Sequence, residues 1–174
     1  MKKMVMVVVG CSNGVDLARR IARHLRVPFS PLSAGSFPDG ELKLKFMTPL
    51  KGKHVVLVQT LHPANEQLVE LVFAIQTAKE LGAAKVTAVV PYMAYLRQDV
   101  RFHPGECQSN RIAASLLSGA DRVITIDPHL HRVKHLKEIF HKPVTTLTAN
   151  SLLASFIKKH YGKEIIVGPD AESY

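Results

Sequence analysis

Leu81-Gly82-Ala83-Ala84-Lys85-Val86-Thr87-Ala88-Val89-Val90-Pro91-Tyr92 and Ser118-Gly119-Ala120-Asp121-Arg122-Val123-Ile124-Thr125-Ile126-Asp127-Pro128-His129 share one outline. In each, a Gly-Ala step leads past a basic residue into a mostly apolar run that ends near a proline. Short continuous apolar runs bounded by turn residues read as strands buried on both faces. Runs of the same kind occupy Val5–Val9, Val55–Val58 and Ile165–Val167, and Phe29–Leu32 is a shorter candidate. Leu42-Lys43-Leu44-Lys45-Phe46 alternates with period two, which predicts a half-exposed strand.

Helical patterns fill the intervals. The spacing predicts helices over Val15–Leu25 and over Glu66–Leu81, the latter stopped by Gly82, and others near Asn110–Leu117, Leu130–Phe140 and Asn150–Tyr161. Buried strands alternating with helices imply an α/β fold, a parallel sheet with helices on both faces. A turn is expected near Pro143–Thr148, dividing residues 1–146 from a new αβ unit over 147–174. Open sheets of this kind take ligands beyond the carboxyl ends of their strands. That directs attention to Cys11-Ser12-Asn13, Thr60-Leu61-His62, the loop after Pro91, Asp127-Pro128-His129 and Pro169-Asp170.

The chain has 174 residues, 47% apolar and 21% charged, which excludes a disordered or fibrous chain. The net charge is +9, unevenly placed: residues 1–53 carry ten basic against three acidic side chains, and residues 129–163 carry seven against one. Such a surplus fits a polyanion, a phosphorylated small molecule or simply a solvated basic face. Met4–Val9 follows Lys2-Lys3, but six apolar residues fall short of the ~7–15 of a signal core, and no run approaches a membrane span. Cys11 and Cys107 form no disulfide framework or metal motif, so a reducing cytoplasm is the simplest location. Both read as packing or loop residues, with no adjacent base to make a nucleophile.

No Walker A loop or Gly-rich dinucleotide fingerprint follows a strand, and no zinc motif is present. Phe37-Pro38-Asp39-Gly40-Glu41 reads either as a plain turn or as an aromatic face with two carboxylates for a purine nucleoside. The ~15-residue loop from Tyr92 is of the length that compact domains reserve for function. Within it Arg97 supplies a fork of donors for phosphate, and Arg101 and His103 add cations, unless the loop is merely solvated. At Asp127-Pro128-His129 a carboxylate or imidazole is placed to meet Mg²⁺; the alternative is a capping aspartate with exposed histidines. Asp170 is a second magnesium candidate or a turn residue. His135, His141 and His160 read as surface residues.

Phe37-Pro38-Asp39-Gly40-Glu41, Tyr95-Leu96-Arg97-Gln98-Asp99 with Pro104-Gly105-Glu106, Asp127-Pro128-His129 and Pro169-Asp170, in that order and spacing, resemble ribose-phosphate pyrophosphokinase, the phosphoribosyl pyrophosphate synthetase family. The resemblance spans essentially the whole chain but only the front part of that family's length. It implies a phosphoribosyltransferase-like α/β fold and Mg²⁺-dependent transfer of the diphosphate of ATP to ribose 5-phosphate, giving phosphoribosyl pyrophosphate and AMP. It assigns Phe37, Asp39, Glu41, Arg97 and Gln98 to ATP, and His129 and Asp170 to the metal. It implies a homo-oligomer, a dimer or higher, in which a neighbour supplies the hairpin. No membrane or nucleic-acid partner is implied. The family's catalytic basic loop and ribose-phosphate loop are expected beyond Tyr174, so residues 147–174 would open a truncated second domain and no catalytic residue lies within this segment.

The chain departs from the family pattern at Val100, where many members carry a basic residue, at Gln108-Ser109-Asn110, and at Glu172 in place of a glycine. Together these mark a divergent branch. Other classes compete. A noncatalytic regulatory or associated subunit would bind ATP without turnover. A stand-alone phosphoribosyltransferase needs an acidic loop followed by Gly and Thr, which is not found. A nucleic-acid-binding domain would explain the charge but lacks a motif or aromatic platform.

Overall fold

A computed structural model describes residues 4–161 and 164–168. Its strands are β1 (Met6–Gly10), β2 (Phe29–Ser36), β3 (Leu42–Phe46), β4 (His54–Val58), β5 (Lys85–Val90), β6 (Arg122–Ile126) and β7 (Val144–Leu147). Its helices are α1 (Val15–Leu25), α2 (Ala64–Glu80), α3 (Ser109–Leu116) and α4 (Asn150–His160). The strands form one sheet in the order β3-β2-β1-β4-β5-β6-β7, parallel except for the antiparallel β2–β3 pair.

Continuous apolar strands are explained by burial on both faces, because successive side chains point to opposite sides of a sheet. Val7 and Val9 of β1 and Val55 and Leu57 of β4 join the larger core, with Leu71, Ala74 and Ile75 of α2 and Ala114 of α3. Val8, Val56 and Val58 face the other way, onto Ala18 and Ala22 of α1. Small residues on α1 bring it close to the sheet. The approach is tightest at Gly14, where an added Cβ would lie 1.9 Å from the Val58 carbonyl oxygen.

The expected parallel α/β sheet with helices on both faces is present; three local expectations are corrected. Leu130–Phe140 is not a helix: it holds a single 3-10 turn, Leu136–Glu138, with Leu136, Ile139 and Phe140 buried in the larger core. Its apolar residues recur at helical spacing, but the backbone around Arg132 is engaged elsewhere, as described below. The segment Pro143–Thr148, read as a turn, contains β7, which pairs with β6 from Val123↔Val144 to Ile126↔Leu147. Ile165–Val167 forms no strand; its residues are exposed and, among the described residues, no strand pairs with them. An apolar run becomes a strand only where a neighbour takes its backbone groups. β2 is also longer than expected, extended to Ser36 by its antiparallel partner β3.

Candidate functional site

The carboxyl ends of β5 and β6 open into a cavity of about 510 Å³, lined by the chain from Tyr92 to Gln98 and from Ile126 to His129, with Ala64 and Ser109. Arg97, Gln98 and His129, three residues singled out in the sequence, therefore meet at one opening. The loop after β5 turns sharply at Tyr95, whose φ is 65°. An aromatic residue seldom occupies this left-handed region, and such conformations collect at functional sites. Neighbours hold it there: Ser109 Oγ donates to the Tyr95 carbonyl at 2.9 Å and the Tyr95 hydroxyl donates to Asn65 Oδ1. The turn buries Leu96 and leaves Arg97 exposed at the cavity.

The side-chain amide of Gln98 is gripped by the returning arm of its own loop. Its Nε2 donates to Glu106 Oε2 at 3.4 Å, and the Cys107 thiol donates to its Oε1 at 3.1 Å. Glu106 also accepts the Phe102 amide at 3.0 Å, and Gly105 turns the loop with φ 87°. The Asp99 carboxylate is buried and accepts the Arg132 amide and Arg132 Nη1, each at 3.0 Å. These partners, the backbone amide foremost, hold its carboxyl below the usual carboxylate range against the opposing effect of burial. Arg101 and His103, read as added cations, are exposed and do not line the cavity.

On the β6 side, Asp127 has φ 40° and its amide donates to the Leu147 carbonyl at 3.0 Å. Its carboxylate accepts the Ala149 amide at 2.9 Å, and that bond, with the Thr148 hydroxyl, keeps its carboxyl low. Asp127 thus fastens the chain between β7 and α4. His129 is exposed at the cavity, its ring edge-on to His131 with centroids 4.4 Å apart. Asp170 lies outside the described residues. Among the described residues no group of three or more His, Cys, Asp or Glu is arranged to hold a metal ion. With Asp127 committed, the donor set here is one imidazole. That fits a magnesium ion which keeps its waters and takes oxygens from a bound phosphate.

Phe37, Asp39 and Glu41 lie elsewhere, on the β2–β3 hairpin. Gly40 has φ 91°, the Glu41 amide donates to Asp39 Oδ1 at 3.1 Å, and the Phe37 amide donates to the Glu41 carbonyl at 2.8 Å. The turn reading and the presentation of an aromatic ring are both realised. Phe37 is exposed, with the Lys43 ammonium 5.4 Å from its ring centre. β2 stands three strands from β5 in the sheet, about 14 Å at ordinary strand spacing, and the hairpin does not line the cavity.

The order of strands reverses between β1 and β4, the other place where such a sheet accepts ligands. There, however, the backbone donors are already used. The Ser12 amide donates to Glu70 Oε1 at 2.8 Å, Asn13 to Gln59 Oε1 at 2.9 Å, and Gly14 to the Cys11 carbonyl at 2.9 Å. Buried Glu70 and Gln59 make this loop a structural joint. Cys11 beside it is fully buried, and burial, aided by Glu70, pushes its thiol far above the usual range. Glu70, Tyr95 and Arg132 are contributions that sequence reading missed, since nothing in composition or period announces a buried acid, a strained turn or a partner 33 residues away.

A profile of the N-terminal domain of ribose phosphate pyrophosphokinase matches residues 6–121. A ribose-phosphate pyrophosphokinase of Methanobrevibacter smithii is 38% identical over 170 residues, covering 96% of this chain and 56% of the relative. That of Methanopyrus kandleri is 38% identical over 168 residues, covering 95% and 57%. The crystal structure of phosphoribosylpyrophosphate synthetase from Mycobacterium smegmatis superposes with a TM-score of 0.82 at 29% identity, over 92% of this chain and 54% of that one. The chain spans about half the length of the curated relatives it matches.

Proposed function

Because the chain belongs to the ribose-phosphate pyrophosphokinase family, we propose that it provides the nucleotide-binding front of an enzyme that transfers diphosphate from ATP to ribose 5-phosphate. In that reaction the ribose O1 attacks the β-phosphorus and the bond from that phosphorus to the α,β-bridging oxygen breaks. AMP leaves, and the proton of the attacking hydroxyl passes to solvent. Transfer of this kind depends on positioning and on neutralising charge more than on covalent help from the protein. The observation that carries the reading is the meeting of Arg97, Gln98 and His129 at one cavity beyond β5 and β6.

Arg97 is the phosphate ligand in this reading, a permanent cation with a rigid fork. Gln98, held by Glu106 and Cys107, presents an oriented amide to the nucleotide. His129 and Asp170 would hold Mg²⁺, which supplies charge neutralisation to the phosphates when bound. Phe37 stacks on adenine, with Asp39 and Glu41 accepting from its amine or from ribose hydroxyls. The hairpin does so in the site of a neighbouring copy, so the working form is a homo-oligomer, a dimer or higher. No catalytic residue is proposed within residues 1–174.

We assign residues 1–146 to a first domain and residues 147–174 to the opening of a second. α4 supports this, with Leu152, Leu153 and Phe156 all exposed and no buried residue on it. No helix among the described residues is long and apolar enough to cross a membrane. The two free cysteines fit a cytoplasmic location without nucleic-acid or membrane partners. The test is Mg-ATP titration calorimetry beside an AMP-release assay with ribose 5-phosphate on the whole protein. Arg97→Ala should weaken ATP at least about tenfold, the loss of a charge-assisted contact. Unchanged ATP affinity in Arg97→Ala would remove the cavity from the nucleotide site.

A further inference from the structure

Two separate loops build the cavity: the one after β5, carrying Arg97 and Gln98, and the one after β6, carrying His129. Arg132 joins them. Its amide and its Nη1 both donate to the Asp99 carboxylate at 3.0 Å, and its guanidinium carbon stands 5.4 Å from the centre of the Phe102 ring. The same side chain thus holds the start of the first loop by a charge-assisted bond and covers its middle by a cation–π contact. Asp99 lies next to Gln98 in the chain, and Arg132 lies three residues past His129. The Asp99 side chain is only 3% exposed whereas that of Arg132 is 60% exposed. Arg132 does not line the cavity.

We propose that Arg132 is a positioning residue for nucleotide binding: by clasping Asp99 and Phe102 it fixes Arg97 and Gln98 against His129. The proposal rests on the reading of this cavity as the ATP site. The pair is asymmetric in a useful way. The acceptor is buried and needs its partners, because a buried carboxylate left with fewer donors loses the bonds that replaced water. The donor is exposed, so its removal opens no core cavity. The amide of residue 132 remains whatever side chain is placed there, so half of the clasp survives substitution. Loss of the guanidinium should therefore loosen the loop without unfolding the sheet. A site built on loops depends on such supporting contacts for its precision.

The experiment compares Mg-ATP affinity in the wild-type protein, Arg132→Ala, Arg132→Lys, Asp99→Asn, the Arg132→Ala/Asp99→Asn double variant and Arg97→Ala. Arg132→Ala should weaken ATP about tenfold, the scale on which outer-shell partners of a site act. Arg132→Lys, keeping the charge and one donor, should recover most of that loss, which a purely steric role would not produce. The double variant should bind no worse than the weaker single one, because both changes break one clasp. Labelling of the exposed thiol of Cys107, which bonds Gln98, reports the same loosening without nucleotide and should quicken in Arg132→Ala. If Arg97→Ala weakens ATP while Arg132→Ala stays within about twofold of wild type, the positioning role is wrong and the ATP site stands. If neither variant changes ATP affinity, the ATP reading of the cavity fails, and this role fails with it. Should Arg132→Ala not fold, Arg132→Lys and Asp99→Asn decide, since wild-type affinity in both overturns the proposal.

Discussion

The hairpin and the cavity lie in different parts of the sheet, and mixing two defective proteins tests whether they belong to one site. Phe37→Ala removes the aromatic face while leaving the cavity intact; Arg97→Ala damages the cavity while leaving the hairpin intact. The order β3-β2-β1-β4-β5-β6-β7 places three strand spacings, about 14 Å, between β2 and β5, and a fourth brings the distance to β6 to about 19 Å. A hairpin that cannot line its own cavity must act in a neighbour's. A stacked base is worth about 1–3 kcal/mol, so Phe37→Ala alone should weaken ATP by about 5–150-fold. When equal amounts of the two variants exchange subunits in a dimer, about half the dimers are mixed. Each mixed dimer has one site with both defects and one with neither, so about one site in four regains wild-type affinity. Titration calorimetry counts those tight sites directly. If the hairpin served its own chain, every site would keep one defect. No recovery on mixing, with subunit exchange verified by differently tagged chains, would therefore refute the shared site.

Four further outcomes test other parts of the structure. Gly14→Ala places a methyl 1.9 Å from the Val58 carbonyl oxygen, backbone against backbone, and should cost about 3 kcal/mol or more, while Gly35→Ala, with nothing within 4 Å, should be near neutral. Thermal denaturation should show this as a drop of about 6–12 °C for Gly14→Ala, and a drop under about 2 °C would contradict the packing at the joint. The carboxyls of Asp99, beside the Arg132 amide, and Asp121, held low despite burial by Lys79 and the Val86 amide, lie below their unfolded values. Their contribution to stability is full above about pH 4 and is lost as pH falls through the folded values, so Asp99→Asn should flatten the acid limb of a urea-midpoint profile. His129→Ala should leave the fold intact and weaken the enhancement of ATP binding by Mg²⁺, and undiminished enhancement by calorimetry would remove His129 from the metal site. Sedimentation of the active protein should show no monomer; an active monomer would sink the neighbour-supplied hairpin.

The sheet was legible because its physics is local. Val5–Val9, Val55–Val58, Val86–Val90 and Val123–Ile126 are apolar at every step, and only burial on two faces keeps such runs from water. The strands at those positions match to within a residue at either end, and α1 falls where the period placed it. Ile165–Val167 has the same composition and no strand, so composition supplies the tendency and a pairing partner decides the outcome. β7 shows the converse: Val144–Leu147 is short and half polar, yet an open edge of β6 is enough to make it a strand.

The site was legible to the extent that function sits at strand ends. Arg97, Gln98 and His129 could be placed near one another because each follows a strand, and parallel strands deliver their ends to one rim. The clasp between those ends could not be found in this way. Leu130, Val133, Leu136 and Phe140 recur with helical spacing and are all at least partly buried, so the periodic signal was sound as a signal of burial. A helix through the same residues would need the amide of Arg132 for its own ladder. In the fold that amide donates to Asp99. The carboxylate satisfies the amide, the guanidinium compensates the buried charge, and the apolar side chains reach the core from an irregular loop closed by one 3-10 turn. The competition between helix and loop is thus decided by a residue 33 positions away, beyond the reach of any periodic window, and that contact is what sets the two walls of the cavity against each other.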